Sequence, residues 1–342
     1  MPFLGILSYT RRKQEQAVRS VATPPIKTIQ LLLVCLAVFA STRSMGQSLP
    51  AYTQNMLHAE VSKPVVQVRK NVDLVMVTVT VLDRSERSVS GLSADQFSVL
   101  EDKASQTIRY FSNEDEPIAL AVVLDSSASM ASRFEDVKLA ASELIDTSNP
   151  QDEFHIVAVG DTPQVEVTPG DSLDDFLSSL GYLRPAGQTA LWDTMMLALK
   201  QLRTAPLQRK AMVVISDGGD NHSRITEQEL KFKLKEAGVQ MYAIGIYDPF
   251  AYRKEERLGP FELDELTSAS GGRMISVRNR AEILSAVRRI SRELRDQYVL
   301  GYYTSRPERD GKWHKVKVTL TGISNPRELR VFSRKGYFQP AD

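Results

Sequence analysis

Residues 117–295 alternate between continuous apolar runs and stretches with helical periodicity, and this pattern restricts the possible fold most strongly. The runs "IALAVVLD" (118–125) and "KAMVVISD" (210–217) have the unbroken apolar character of strands that are buried on both faces of a sheet. Stretches such as "FEDVKLAASELI" (134–145) and "ALWDTMMLALKQL" (190–202) are helical in pattern, with the apolar residues of the first lying along one stripe. Strands that alternate with helices predict a doubly wound α/β domain with a mostly parallel sheet.

Strand-like patterns flank this region on both sides. The segment "VDLVMVTVTVLD" (72–83) alternates and is rich in Val and Thr, and strands return with "QYVLGYYTS" (297–305). We therefore expect a β-sandwich that both chain ends build, with the α/β domain inserted in it. The predicted boundaries are 65–116 for the first part of the sandwich, 117–295 for the α/β domain and 296–342 for the second part.

The first 46 residues have the order of a secretory signal. A basic segment (1–28) precedes an apolar core, "IQLLLVCLAVFA" (29–40), and small polar residues follow the core. The apolar core is short for a membrane span, which needs about 20 residues. We expect residues 1–46 to be a signal peptide or an N-terminal anchor and residues 47–64 to be a flexible lead-in. The protein would then be secreted, periplasmic or in the cell envelope, and membrane-anchored where the segment stays uncleaved.

The composition argues against several kinds of site. The 342-residue chain has a net charge of +1, one cysteine (Cys35) and four scattered histidines. A single cysteine forms neither an internal disulfide nor a cysteine zinc site. The near-neutral charge, without a run of Lys and Arg interleaved with aromatic residues, argues against nucleic-acid binding. The sequence also has no G-x-x-x-x-G-K-S/T loop, so a nucleotide hydrolase would lack its phosphate-binding loop.

Oxygen-bearing side chains are concentrated in three loops of the α/β region. The stretch "DSSAS" (125–129) ends the first buried strand, "GQTALWD" (187–193) leads into a helix, and "SDGGD" (216–220) ends the next long buried strand. In a doubly wound sheet, the carboxyl ends of the strands open the crevice in which ligands bind. Five side chains of these loops can therefore converge on one point. They are Asp125, Ser127, Ser129, Thr189 and Asp217.

These five side chains offer two carboxylates and three hydroxyls, and no imidazole or thiolate. Such hard oxygen donors argue against zinc, copper and iron and suit Mg²⁺. Two neighbouring carboxylates repel each other, and a divalent cation relieves that repulsion. Because hydroxyls are weak, neutral ligands, the metal keeps its affinity for an outside carboxylate. The residues thus predict a metal-mediated docking point for an acidic group.

The pattern Asp125-x-Ser127-x-Ser129, followed by Thr189 and by the aspartate of "SDGG" (Asp217), resembles the metal-ion-dependent adhesion site of von Willebrand factor A domains. This resemblance covers the whole α/β region. It implies that both serines ligate Mg²⁺ or Mn²⁺ directly, that Thr189 ligates directly or through water, and that the aspartates act partly through water. It also implies that a Glu or Asp of a partner protein completes the coordination shell. The flanking β segments are similar to those of a bacterial family of secreted proteins known chiefly from acidobacteria.

Other interpretations stay open at this stage, because each of these residues alone is a common helix cap or turn residue. A phosphatase of the haloacid dehalogenase type needs a second Asp where this chain has Ser127, and no G-x-S-x-G elbow occurs.

Three other residues near these loops have two interpretations each. His222 either pairs with a serine or is a solvated loop residue. Asp220 and Asn221 either bind a metal-bound water or are exposed turn residues. The stretch "YDPFAYRKEERLGPF" (247–261) is expected to be a long loop at the crevice.

We therefore expect an exported, non-enzymatic, metal-dependent protein-binding module. In this interpretation Mg²⁺ (or Mn²⁺) at the five residues binds an acidic side chain of a partner protein. The first alternative is a hydrolase that uses the same metal to activate water, against which the lack of a positioned base in these loops counts. The second alternative is a structural subunit whose metal only stabilises the fold.

Overall fold

The computed structural model of the chain describes residues 74–247, 254–305, 310–323, 325–339 and 341. The predicted signal segment and lead-in lie outside these residues. No helix in the described part of the chain is long and apolar enough to cross a membrane. The strands and helices follow in the order β1 (Leu74–Leu82), β2 (Phe97–Glu101), β3 (Ala104–Gln106), β4 (Ile108–Ser112), β5 (Ile118–Asp125), α1 (Phe134–Asp146), β6 (Glu153–Val159), β7 (Gln164–Val167), α2 (Leu173–Leu180), α3 (Leu191–Thr204), β8 (Arg209–Ser216), α4 (Glu227–Ala237), β9 (Gln240–Ile246), α5 (Lys254–Ser270), β10 (Met274–Val277), α6 (Arg280–Arg295), β11 (Tyr298–Tyr303), β12 (Trp313–Leu320), β13 (Arg330–Ser333) and β14 (Gly336–Phe338).

The central sheet has the strand order β10-β9-β8-β5-β6-β7. All neighbouring pairs are parallel except β6 and β7, which pair antiparallel. Every residue of β5 is buried, as its continuous apolar sequence predicts, because helices cover both faces of the sheet. One apolar core includes residues of α1, α2 and α6, and the other includes residues of α3, α4 and α5. The prediction of a doubly wound, mostly parallel sheet is confirmed.

Two antiparallel sheets form the sandwich. Their strand orders are β13-β1-β11-β4 and β14-β12-β2-β3, so each sheet combines strands from before and after the α/β region. Val77 and Tyr302 of one sheet share an apolar core with Val99 and Val316 of the other. This arrangement confirms that both chain ends build the sandwich and that the α/β region is inserted in it. The domain boundaries given above stay a prediction.

Helix α5 corrects one sequence-based expectation. We expected a long loop over residues 247–261, but α5 begins at Lys254 and contains Pro260. A glycine and a proline in sequence normally end a helix, and here tertiary contact outweighs that tendency. Gly259 packs directly on the loop that follows β8, since a Cβ on Gly259 would lie 2.5 Å from the carbonyl carbon of Gly218. The helix therefore approaches the candidate site backbone to backbone.

His155 on β6 is a buried polar residue without a partner. Its two ring nitrogens make no hydrogen bond with any described residue, and burial lowers its pKa. A buried, unsatisfied polar group costs about 1–3 kcal/mol. We therefore expect His155→Leu to raise the free energy of unfolding by about 1 kcal/mol, measured by urea denaturation near neutral pH.

The lowered pKa of His155 also predicts that the stability of the folded protein depends on pH. Because its pKa is lowered in the folded protein, the unfolded chain binds the proton more readily, and stability falls as the pH drops below about 6.5. His155→Leu should lose this part of the acid sensitivity. If the free energy of unfolding of wild type and variant fell equally between neutral and mildly acidic pH, His155 would not be the source of the acid sensitivity.

Candidate metal centre

The strands β5 and β8 bring the candidate residues to one edge of the sheet. Residues 118–124 pair in parallel with residues 209–215, so the two carboxyl ends are neighbours. The first site loop (125–129) follows β5 and the third site loop (216–223) follows β8. The second site loop (186–190) leads into α3. The strand order reverses at this point, which is where open α/β sheets bind ligands.

Backbone hydrogen bonds join the first and second site loops. The N–H of Ala186 donates to the carbonyl of Ser126 at 3.0 Å, and the N–H of Ala128 donates to the carbonyl of Gly187 at 3.2 Å. Gly187 has a φ of +76°, and a Cβ there would lie 2.6 Å from a carboxylate oxygen of Asp161. Only glycine fits this position without displacing its neighbour. The two loops are therefore held in one fixed arrangement.

Asn221 joins the second and third site loops. Its side-chain oxygen accepts from the N–H of Thr189 at 2.9 Å, and its own N–H donates to the Thr189 carbonyl at 3.0 Å. The Thr189 hydroxyl makes no hydrogen bond with a described residue, so it is available to a ligand. Asn221 is exposed, as the turn alternative predicts, but its side chain positions Thr189. His222 is exposed and donates only its backbone N–H to the Thr189 carbonyl, at 3.1 Å.

Asp125 is fully buried at the end of β5. One carboxylate oxygen accepts from the N–H of Ser127 at 3.0 Å, and the other accepts from the hydroxyl of Ser216 at 2.5 Å. Burial, together with the nearby charge of Asp217, raises the pKa of Asp125 to about 6. Two carboxylates placed so close in a buried site disfavour each other's charge, and a divalent cation would remove this cost.

Sequence reasoning did not identify Ser216 as a site residue. It is the last residue of β8 and is fully buried, and it holds the carboxylate of Asp125. Its hydroxyl also accepts from the N–H of Gly218 at 2.9 Å. In the sequence, the feature that could have indicated Ser216 is its position as a polar residue at the end of a mostly apolar strand, next to the candidate ligand Asp217.

The two serines of the first site loop lie side by side. The hydroxyl oxygens of Ser127 and Ser129 are 3.0 Å apart, and Ser127 is fully buried. Adjacent ligands of an octahedral Mg²⁺, each about 2.0–2.1 Å from the ion, are about 2.9–3.0 Å apart. The spacing of this pair therefore fits one small divalent ion.

Asp217 is buried and is held by its own loop. One of its carboxylate oxygens accepts from the N–H of Gly219 at 3.0 Å. Gly218 between them has a φ of +82°, and a Cβ there would lie 2.7 Å from the backbone of Gly259 in α5. The turn thus requires glycine for its conformation and for the close approach of the helix. The second carboxylate oxygen of Asp217 has no hydrogen-bond partner among the described residues.

Asp220 caps helix α3 from the third site loop. One of its carboxylate oxygens accepts from the N–H groups of Leu191 at 2.8 Å and Trp192 at 3.2 Å, and from the hydroxyl of Ser223 at 2.6 Å. Ala190, which precedes the helix, provides no side-chain cap. The interpretation of Asp220 as an exposed turn residue is wrong, because the residue is half-buried and caps a helix, whereas its binding of a metal-bound water stays a prediction. A cap normally comes from the residue just before the helix, so sequence spacing gave no sign of this role.

Removal of this cap should destabilise the protein. We expect Asp220→Ala to lower the free energy of unfolding by about 1–2 kcal/mol, because two N–H groups of α3 lose their acceptor. Asp220→Asn keeps an oxygen acceptor and should cost less than the alanine variant. Urea denaturation measures both effects, and equal stability of the alanine variant and the wild type would show that α3 needs no cap from this loop.

The donor set decides which ion the centre fits. Within the described residues, no group of three or more His, Cys, Asp or Glu side chains is arranged to hold a metal. The candidate centre combines two carboxylates with three hydroxyls, which suits a hard ion such as Mg²⁺ or Mn²⁺. The loops that carry all five predicted residues are joined by the contacts described above, and metal ligation by these residues stays a prediction. The residues are Asp125, Ser127, Ser129, Thr189 and Asp217.

Comparison with known proteins gives a family match for part of the chain. The family model of the von Willebrand factor type A domain matches residues 120–219, which include all five candidate residues. No curated protein matches the chain significantly.

Several solved structures resemble the chain at low identity. A von Willebrand factor type A protein from Catenulispora acidiphila is 14% identical, with a TM-score of 0.44, over 79% of this chain and 73% of that chain. Proximal thread matrix protein 1 from the mussel byssus, with a zinc-occupied MIDAS motif, is 17% identical, with a TM-score of 0.47, over 58% and 50%. The pilus adhesin SpaC from Lactobacillus rhamnosus GG is 10% identical, with a TM-score of 0.44, over 74% and 49%. This chain spans about half the length of the latter two.

Proposed function

We propose, from the premise that this chain contains a von Willebrand factor type A domain, that it is a metal-dependent protein-binding module. Mg²⁺ (or Mn²⁺) would be held by the five residues of the candidate centre, and a Glu or Asp of a partner protein would bind to the ion. The observation that carries this proposal is the pair of buried, mutually repelling aspartates, Asp125 and Asp217, beside two serine hydroxyls 3.0 Å apart.

The residues of the chain have separate tasks in this proposal. Asp125 and Asp217 supply negative charge, and the Ser216 hydroxyl and the Ser127 N–H fix the orientation of the Asp125 carboxylate. Ser127 and Ser129 supply neutral oxygen ligands. A bound divalent ion supplies positive charge and a coordination position for an outside carboxylate. Because the hydroxyls add no negative charge, the ion keeps its attraction for that carboxylate.

We infer binding rather than hydrolysis. A hydrolase needs a general base within hydrogen-bond reach of the attacking water. The described partners of Asp125 are a serine hydroxyl and a backbone N–H, and His222 contacts Thr189 only through its backbone. Export by the N-terminal segment (1–46), or anchoring by it, is part of the proposal and places the domain where it can meet other envelope or extracellular proteins.

A ligand-exchange measurement tests the docking role. Mn²⁺ bound to the full chain relaxes water protons, and acetate should lower this relaxation by displacing a metal-bound water. Acetamide has a similar shape without the charge and is the control, for which we expect no effect. Bound Mn²⁺ that responds to neither compound would contradict docking and would favour the structural subunit with a stabilising metal.

A further inference from the structure

A cleft of about 530 Å³ lies between helices α4 and α5 and strand β12 of the sandwich. We call it the lysine cleft, because five lysines line it against a single acidic residue, Glu265. No residue of the candidate metal centre belongs to it. The lysines are Lys231, Lys235, Lys315, Lys317 and Lys335.

The lysine cleft carries a local excess of positive charge. The whole chain carries 43 basic and 42 acidic side chains, so its average charge gives no sign of such a cluster. Glu265 forms an ion pair with Lys231. The other four lysines form no ion pair with any residue that the structure describes, and Lys235 lies 5.4 Å from the ring centroid of Trp313. Cations collected in a concave site raise the local concentration of anions.

Regular secondary structure holds four of these lysines on the two walls of the cleft. Val316 and Val318 of β12 point into the sandwich core, so Lys315 and Lys317 point outward and are exposed. Residues two apart on one face of a strand are about 6.6 Å apart. Lys335 is fixed beside them, because its carbonyl accepts from the N–H of Val316 at 2.9 Å.

The opposite wall carries Lys231 and Lys235. These residues are four apart on α4 and therefore lie on the same side of the helix. The ammonium groups thus come from three segments of the chain, which are α4, β12 and the connection between β13 and β14.

We propose that the lysine cleft binds a linear acidic polysaccharide, a polymer that carries a carboxylate or sulfate group on its sugars. Lysine ammonium groups are compact point charges that pair with single anionic groups along a chain, without the bidentate fork by which arginine binds carboxylates and phosphates. No arginine lines the cleft. A concave cleft between a helix pair and a strand suits a polymer chain better than the flat surface of a bilayer.

The aromatic residue of the cleft argues against a nucleic acid. Proteins that bind single strands stack bases on free aromatic rings. The ring of Trp313 already packs edge-on against Phe338, with centroids 5.0 Å apart, and Lys235 lies over it. The cleft therefore offers charge without a free ring on which the bases of a single strand could stack.

Binding of two defined polymers to the full chain tests this proposal. Oligogalacturonate carries only carboxylates, and heparin fragments carry sulfates as well as carboxylates, so binding of heparin alone would assign the recognised charge to sulfate. We expect at least one of them to bind, with an affinity that falls as the salt concentration rises. Lys315→Ala combined with Lys317→Ala should weaken this binding about tenfold, as expected for the loss of two charge contacts.

The matched control removes two exposed cations from α3, with Lys200→Ala combined with Arg203→Ala, and should change the affinity less than twofold. Thermal unfolding verifies that both double variants fold. Three results would overturn the proposal. They are no binding of either polysaccharide, an equal loss in the control variant, and tighter binding of polyglutamate, duplex DNA or phosphatidylglycerol vesicles than of either polysaccharide.

Discussion

Replacement of Arg273 by methionine is expected to lower the free energy of unfolding by about 3–5 kcal/mol. The Nε of Arg273 donates to both carboxylate oxygens of Glu293, at 3.1 and 3.0 Å, and its Nη2 also contacts this carboxylate. Glu293 lies on α6 and only 2% of it is exposed. Burial already raises the pKa of Glu293 despite the guanidinium beside it. Without Arg273, a buried carboxylate would remain unpaired.

Arg273 also connects the α/β region to the sandwich. It contacts Glu86 in the loop after β1, and Glu86 contacts Arg289 and Arg330 as well. The control for the Arg273 prediction is the double variant Arg273→Met with Glu293→Leu, which removes both buried charges. Urea denaturation should show that the double variant recovers much of the loss. A double variant that is less stable than Arg273→Met would contradict the explanation.

Replacement of Asp125 by asparagine is expected to have two opposite effects. In the presence of a chelator it should raise the free energy of unfolding by about 1–3 kcal/mol, because one of two mutually repelling buried charges is lost. The side-chain oxygen of asparagine can still accept from the Ser127 N–H, and its amide group can pair with the Ser216 hydroxyl. With Mg²⁺ the wild type should gain stability and the variant should not, since a ligand that binds the folded state stabilises it.

Ser126→Ala is the matched control for this second prediction. The Ser126 hydroxyl donates to the Val159 carbonyl at 2.6 Å, so it belongs to the first site loop without being a candidate ligand. The Ser126→Ala variant should still be stabilised by Mg²⁺. Thermal unfolding with chelator and with Mg²⁺ measures all three proteins. An equal response to Mg²⁺ in wild type and Asp125→Asn would contradict the assignment of Asp125.

The sequence predicts the central sheet because burial on both faces leaves a continuous apolar run. All eight residues of β5 are buried, and each is apolar except the final Asp125. The convergence of the three site loops was predicted for a related reason, since parallel strands place their carboxyl ends at one edge of a sheet. Both features follow from patterns within short stretches of sequence.

Other features depend on tertiary contacts that no short stretch contains. Asp220 caps a helix that begins 29 residues earlier in the chain, and the pattern of the helix itself shows only Ala190 at its start. Helix α5 includes Gly259 and Pro260, because the glycine packs on the backbone of Gly218. The lysine cleft joins residues of α4 and β12, which are locally unremarkable in sequence. Sequence reasoning therefore identified the candidate ligands, and the structure was needed to find the residues that position them.

Titration of Mn²⁺ into the chelator-treated full chain, followed by electron paramagnetic resonance, tests the central claim most directly. Binding removes the signal of the free ion, so the method counts the sites even when the affinity is low. We expect one site in the wild type and in Ser126→Ala, and loss of that site in Ser127→Ala and in Asp217→Asn. No bound Mn²⁺ in the wild type, or undiminished binding in both Ser127→Ala and Asp217→Asn, would contradict a metal centre at the ends of β5 and β8.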